Sequence, residues 1–293
     1  MRYDITLNID YRYSHPTDRT RNLLRILPHD LPGTQVIGDW TLALTPRPSE
    51  QAHFTDFFGN TVTSAVWHYP IDAVKISLSL QAERLRSDPF LSLAAPLSRL
   101  GQDLAALRDV SARSPLHFTA ASRRTPAHAG MGDFARAALR PGMSAADAVR
   151  AIGRAIHRHM EFSDKATDVD TPAAVAFEKR AGVCQDFTHI MITCLRAVGI
   201  PAGYVSGFLR TFPPPGKEKL VGVDAMHAWV CAWVGPEIGW LEFDPTNNQG
   251  VGVDYVTIGY GRDYDDVAPV CGAMRGMGDQ SSKQSVDVAE VAD

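Results

Sequence analysis

The segment RAGVCQDFTHIMITCLRAVGIPAGYVSGF, from Arg180 to Phe208, constrains the fold more than any other part of the chain. Between Gln185 and Val198 the apolar residues fall at Phe187, Ile190, Met191, Cys194, Leu195 and Val198, the spacing of one helical face. Gly199 supplies a helix stop and Pro201 bars continuation. GYVSGFL then reads as a strand. Upstream, Arg180-Ala181-Gly182 reads as a turn, so Cys184 lies at or beside the helix N-terminus. Unpaired backbone N–H groups and the macrodipole favour negative charge there. A thiolate is such a charge, and the position is expected to lower the thiol pKa below its free value of about 8.5.

The chain has four cysteines. Cys194 lies on the apolar stripe of its own helix, Cys231 inside a strand and Cys271 in a Gly-rich tail. These three read as small hydrophobes, the common role of free cysteine. Cys184 is off the stripe, and its chemistry requires a base. DAMHAWVCAWV places His227 at the start of a strand, with Trp229, Cys231 and Trp233 on the same side. GPEIG turns the chain, and WLEFDPTN returns antiparallel with Asp244 near its end. A Cys–His–Asp set makes chemical sense: the imidazole takes the thiol proton, and the carboxylate fixes its tautomer and supports the imidazolium.

Strand geometry narrows this set. If Val234 pairs with Trp240, His227 shares a face with odd-numbered residues of the returning strand and Asp244 points away. If the connection holds two or four residues, His227 falls opposite Thr246 and Asp244 becomes its diagonal neighbour on the same face. Such neighbours lie about 7–8 Å apart, within joint reach of a His and an Asp. A one-residue bulge has the same effect. Asp186 is the other carboxylate near the nucleophile, but an acid in a helix's first turn is already explained by the macrodipole. His157 and His159 diverge on their predicted helix, as do Cys184 and His189. No CxxC, HExxH or glycine-rich phosphate loop occurs, so neither a cofactor nor a metal is expected.

The chain has 293 residues, enough for two domains or one large one. YDITLNIDYRY, QVIGDWTLALTP, NTVTSAVWHY and AVKISLSLQAE read as strands separated by Pro, Gly and Asn turns. They imply a small antiparallel β-domain over about 1–90. SDPF marks a change to an Ala/Leu/Arg-rich helical stretch running to about 160. Within it, Ser144 and Asp147 resemble a capping box. Thr171 and Pro172 open a short helix ending near Arg180, and FPPPGKEKL is a Pro-rich surface loop. The core then extends over 91–268. Residues 269–293 form a C-terminal extension with one late strand, SVDVAEV.

With a net charge of −4 and no Lys/Arg-rich run, nucleic acid and anionic membranes are poor partners. The start, MRYDITLNIDYRY, lacks the pattern of a signal peptide. Four cysteines without a secretion signal suggest reduced thiols and a cytoplasmic setting.

RAGVCQDFTH, LRAVGIPAGYVSGF, MHAWV and WLEFDPTNN together resemble the core of bacterial transglutaminase-like cysteine proteases. FTDFFGNTV resembles the β-type N-terminal region of that family, and GRDYDDVAPVCG its C-terminal segment. The resemblance implies an α+β fold: a papain-like transglutaminase core, with the nucleophile helix packed on an antiparallel sheet, preceded by the small β-domain. By position, Cys184 matches the nucleophile, His227 the base and Asp244 the orienter. The backbone N–H of Cys184 is the expected oxyanion donor. The expected reaction is acyl transfer on an amide through a thioester, with a peptide or protein as substrate. The same three residues serve hydrolysis and glutamine transamidation, and the lack of a Ca²⁺-loop pattern favours hydrolysis. A non-catalytic peptide-binding module using the same cleft is the rival from another class. The β-domain is expected to restrict access or to dock a partner, including another copy of the chain.

Overall fold

A computed structural model describes residues 1–85, 93–212, 224–275 and 279–291. The SDPF stretch and most of the Pro-rich FPPPGKEKL loop lie outside the described residues. The N-terminal region is built on one long strand, β1 (Arg2–Leu24), where Tyr3, Ile5, Leu7 and Ile9 alternate inward at no more than 2% exposure. Its first half pairs with β5 (Ile71–Arg84), and β5 pairs in turn with β2 (Gln35–Thr45). Its second half pairs with β4 (Thr61–Trp67), flanked by β3 (Glu50–Thr55). The register slips between Arg12 and Thr17, and this divides the strand between two sets of neighbours.

The C-terminal extension, expected to carry one late strand, carries two. Both β13 (Val270–Arg275) and β14 (Gln280–Val291) return to the N-terminal sheet and pair with β1. The expected SVDVAEV strand is the end of β14. The stretch VCGAMR of β13 has almost all its residues exposed, so it lacks the apolar alternation that marks a half-buried strand.

The second region begins with α1 (Leu100–Ala106), α2 (Ala129–Ala138) and α3 (Ala145–His159). The expected long helical stretch is thus broken: between Leu107 and His128 the chain is turns and one 3-10 segment, Pro115–Phe118. Ser, Thr and Pro residues crowd this interval and favour local turns over a helix. At Ser144 the expected cap is present. Its Oγ accepts from the Asp147 N–H at 3.1 Å and donates to Asp147 Oδ2 at 2.8 Å.

Next come β6 (Glu161–Phe162), α4 (Ala173–Lys179), β7 (Ala181–Gly182) and α5 (Cys184–Ala197). The five-stranded antiparallel sheet follows. Its spatial order is β11 (Gln249–Gly250), β10 (Trp240–Asp244), β9 (Ala225–Trp233), β8 (Ala202–Leu209) and β12 (Tyr255–Gly261). A short helix, α6 (Tyr264–Val267), leads to the tail strands.

Helix α5 is the hub of the core. Phe187, Ile190, Met191, Cys194 and Leu195 pack with Ala228, Val230 and Ala232 of β9, and with Val149, Ile152 and Ile156 of α3. Every residue from Gln185 to Leu195 is buried, so the helix is enclosed and not merely laid on the sheet by one stripe. Its polar positions are satisfied internally. Thr188 donates to the Cys184 carbonyl at 2.8 Å and Thr193 to the His189 carbonyl at 3.0 Å. His189 Nε2 accepts from the Tyr264 N–H at 3.2 Å, and burial lowers this imidazole's pKa to about 4, keeping it neutral.

The two regions share a hydrophobic cluster: Phe208, Val256 and Ile258 of the five-stranded sheet pack among Ile5, Leu7, Ile76 and Leu78. The outer edge of β12 is paired by side chains instead of a strand. Gln35 donates to the Thr257 carbonyl and accepts from its N–H, each at 2.8 Å, and Asn60 grips Tyr260 the same way, also at 2.8 Å. Asp224 ties the tail in as well, accepting from the Thr211 N–H at 2.8 Å and the Val288 N–H at 2.7 Å. Replacing Gln35 by Met keeps the side-chain volume but strands two backbone groups of a residue with 0% exposure. A buried unpaired group costs about 1–3 kcal/mol, so urea unfolding of Gln35→Met should show a loss of about 2–4 kcal/mol. A loss below 0.5 kcal/mol would mean that the clamp is replaceable by water.

Candidate active site

Three elements converge on the site. The first is the start of α5. Cys184 is its first residue and is partly exposed. As a first-turn residue it leaves its backbone N–H without an intrahelical acceptor. Asp186 does not join the triad; it secures the helix start. Its Oδ2 accepts from the Val183 N–H at 2.8 Å and from Thr167 Oγ1 at 2.7 Å. Burial raises its pKa, and these two bonds oppose the rise. A Cβ on Gly182 would stand 2.5 Å from that same oxygen, so the turn before the nucleophile requires glycine.

The second element is β9. His227 lies opposite Gly207 of β8, and a Cβ on Gly207 would meet the Trp229 indole at 2.3 Å. The missing side chain lets Trp229 lie flat across β8, beside His227. The ring centroids of His227 and Trp229 are 6.3 Å apart, and those of His227 and Tyr255 are 6.2 Å apart. Trp229 Nε1 donates to Glu242 at 2.7 Å, which fixes the indole.

The third is the end of β10. Trp233 pairs with Trp240 and Val230 with Phe243, and the Val234 N–H donates to the Gly239 carbonyl at 2.9 Å. The connection therefore spans four residues, the register in which His227 and Asp244 share a face. His227 Nε2 lies 2.7 Å from Asp244 Oδ2, and Asp244 is fully buried. With Nε2 taken, Nδ1 is the ring nitrogen left to face Cys184, which is near enough to the imidazole to help raise its pKa.

Asp244 is saturated with donors. Oδ1 accepts from the N–H groups of Thr246 at 2.8 Å and Asn247 at 3.1 Å. Oδ2 accepts from His227, from Asn247 Nδ2 at 2.7 Å and from the Tyr255 hydroxyl at 2.8 Å. Burial alone would raise this carboxyl's pKa, but the hydrogen bonds and the His227 charge outweigh it, and the net shift is downward. For His227, burial pulls the pKa down, yet the bonds and charges of Asp244 and Cys184 prevail and raise it to about 10. The arrangement thus favours a protonated imidazole beside the buried Asp244 carboxylate.

Asn247 and Tyr255 were not singled out from sequence. Asn247 sits in the DPTNN turn, where the Asx bond of Asp244 aims its side chain back at the carboxylate; that signal was available. Tyr255 comes from β12, which is not adjacent to β10 in the sheet, and nothing local in its sequence announces the contact. The remaining histidines behave as their spacing implies: His157 Nδ1 lies 3.0 Å from the Thr246 carbonyl and His159 Nε2 3.3 Å from the Phe177 carbonyl. The other thiols are separate. Cys194 and Cys231 are buried, and burial pushes both up to about 12, while Cys271 is exposed on β13. Among the described residues, no group of three or more His, Cys, Asp or Glu is placed to hold a metal ion.

The transglutaminase-like superfamily pattern matches residues 132–245, a span that contains Cys184, His227 and Asp244, and the bacterial transglutaminase-like N-terminal region matches residues 3–83. The chain belongs to the transglutaminase-like superfamily. Members of this superfamily use cysteine-based acyl transfer. An uncharacterized protein of Mycobacterium tuberculosis is 29% identical over 282 residues, covering 92% of this chain and 87% of that one. A protein-glutamine gamma-glutamyltransferase of Pseudomonas aeruginosa is 42% identical over 82 residues, which are 28% of this chain and 12% of that protein. The crystal structure of a candidate cysteine protease from Cytophaga hutchinsonii superposes with a TM-score of 0.75 at 22% identity, covering 100% of this chain and 91% of that one, and shows the same fold.

Two measurements check this geometry. The raised His227 pKa implies stability that is complete below pH 6.5, the ordinary histidine value, and is lost as pH rises through about 10. Unfolding free energies of the wild type should fall across that window, and Asp244→Asn should flatten the fall; an equal slope in both would detach His227 from Asp244. Gly182→Ala should displace Asp186 and loosen the start of α5, lowering stability by about 1–3 kcal/mol. Unchanged melting in that variant would show that the turn can absorb a methyl group.

Proposed function

We propose that the protein is a cysteine-dependent hydrolase of peptide or isopeptide bonds that works through a thioester. The observation that carries this reading is the single imidazole, His227, held at 2.7 Å by buried Asp244 and standing beside Cys184, the first residue of a helix, which helps raise the imidazole's pKa. In this reading the Cys184 thiol passes its proton to the His227 imidazole, and the resulting thiolate attacks the amide carbonyl carbon. The tetrahedral oxyanion takes a hydrogen bond from the Cys184 backbone N–H. The C–N bond breaks as the His227 imidazolium gives its proton to the leaving amine. Water then attacks the thioester, losing its proton to His227, and the acid and the thiol are released. Asp244 keeps its charge throughout and holds the imidazole in place.

Transamidation is the second reading, in which an amine takes the place of water. The likeness to the Pseudomonas aeruginosa gamma-glutamyltransferase favours it, while the protein-wide resemblance to a candidate cysteine protease is one of fold alone.

Mass spectrometry of a peptide library incubated with the protein, with and without a primary amine, separates the outcomes. New carboxyl termini indicate hydrolysis and amine adducts on glutamine indicate transamidation. Neither product, from a protein whose Cys184 reacts readily, indicates a binding module. Cys184→Ala should abolish turnover with the fold intact. Asp244→Asn should lower kcat by about 10³–10⁴, the size of effect known for loss of a triad carboxylate. A second check uses alkylation at neutral pH in a Cys271→Ser background: Cys184 should be modified well before Cys194 and Cys231, and equal rates at all three would remove the reactive-thiol argument.

A further inference from the structure

Asp244 Oδ2 receives three donors, more than one carboxylate oxygen needs, and one of them comes from a distant strand. His227 reaches it from the neighbouring β9 and Asn247 from the turn that follows β10. The Tyr255 hydroxyl reaches it from β12, on the other side of β9 and β8. The phenol is itself held. Gln249 Nε2 donates to its oxygen at 2.6 Å, leaving the hydroxyl proton free to point only at Asp244. The ring is wedged edge-on against Trp229, with centroids 5.2 Å apart, and the residue is 1% exposed. Burial and the nearby Asp244 charge both keep the phenol protonated, so it acts as a donor at every pH at which the protein is folded.

We propose that Tyr255 is a positioning residue that shares the Asp244 carboxylate with His227, fixing the carboxylate's orientation and limiting how much of its charge falls on the imidazole. A phenol of the same shape is useful at this place because a carboxylate bonded only to histidine would bind the proton of His227 too tightly. That proton has to leave for the amine in each turnover. With Tyr255 and Asn247 drawing on the same oxygen, part of the negative charge is spent on donors that never titrate in the working range. Among the described residues, the titratable groups that raise the His227 pKa are Asp244 from β10 and Cys184 from α5. Glu242, on the same face of β10, is engaged by Trp229 Nε1 and the Tyr260 hydroxyl. The position of Tyr255 in β12 also depends on the N-terminal region, since Gln35 grips Thr257 two residues further along the strand.

This inference rests on the triad reading above, and its test separates the two. In Tyr255→Phe the ring and its packing remain and only the hydroxyl is lost. Ring-proton NMR of His227, measured in a Cys184→Ala background so that no thiol titrates beside it, should show the imidazole midpoint moving up by about half a unit to one unit, because loss of a hydrogen bond to a charged group has an effect of that order. In the enzyme with Cys184 intact, the alkaline limb of kcat/KM should move up with it, and kcat should fall about tenfold while KM changes less than twofold. Gln249→Leu, which frees the phenol to turn away, should shift both readouts the same way by a smaller amount. An unchanged His227 midpoint in Tyr255→Phe, with only a lower melting temperature, would reduce Tyr255 to a packed aromatic and overturn the proposal while leaving the triad untouched. Full activity in Cys184→Ala would instead overturn the triad reading, and the NMR midpoint would still decide whether Tyr255 shares the carboxylate.

Discussion

A carboxylate with no solvent exposure, Asp244, is the charge around which the five-stranded sheet is arranged. Removing a charge from water is costly unless every lone pair finds a donor. Five donors meet it: two backbone N–H groups of its own turn, the Asn247 amide, the Tyr255 hydroxyl and His227. Each sets a condition on the fold. The turn must follow β10 at once, β9 must enter in one parity, and β12 must lie close enough for a phenol to span the sheet. The packing of Trp229 over Gly207 and its bond to Glu242 hold the imidazole's neighbour in place.

The nucleophile is positioned by a second, independent device. Asp186 binds the Val183 N–H and Thr167, which stitches the loop after β6 to the first turn of α5. The helix behind it is enclosed on all sides, so Cys184 is presented by a rigid element whose far end cannot shift without disturbing α3 and β9. Dipole, unpaired first-turn N–H and a hydrogen-bonded acid two residues on all sit within one turn of helix.

Much of this was legible in the sequence, and the reasons differ by residue. The apolar spacing from Phe187 to Val198 and the Gly199–Pro201 stop located α5 to within a residue, because helix periodicity is a local signal. The pairing parity of β9 and β10 was reduced to two choices by counting alone; the Val234–Gly239 bond chose between them, and that depends on the backbone of a glycine-flanked turn. The strand β3, whose six residues are all exposed, showed no alternation to read. The stretch from Leu107 to His128 lies inside an Ala/Leu/Arg-rich region that reads as helical, but its own Ser, Thr and Pro residues favour turns, and tertiary bonds such as Arg124 to Asp265 and Asp170 and Arg196 to the Phe118 carbonyl hold them. Tyr255 was invisible because its role comes from strand order, and the register of strands separated in sequence is not written in either one.

The pairing of β1 has a consequence for the life of the newly made chain. Residues 2–12 of β1 are sealed on one edge by β5 and on the other by β14, with Arg2 opposite Val291 and Tyr3 opposite Glu290. The first edge is made early in synthesis and the second very late. At about 5–20 residues per second, roughly ten to forty seconds separate the emergence of β5 from that of β14. Throughout that interval β1 offers its open ladder and the apolar row Tyr3, Ile5, Leu7 and Ile9 to any strand that comes near, including the same segment of a second nascent chain on the same message. The sheet is therefore one in which β1 stays open along one edge until β14, about two hundred residues beyond β5 along the chain, arrives to close it.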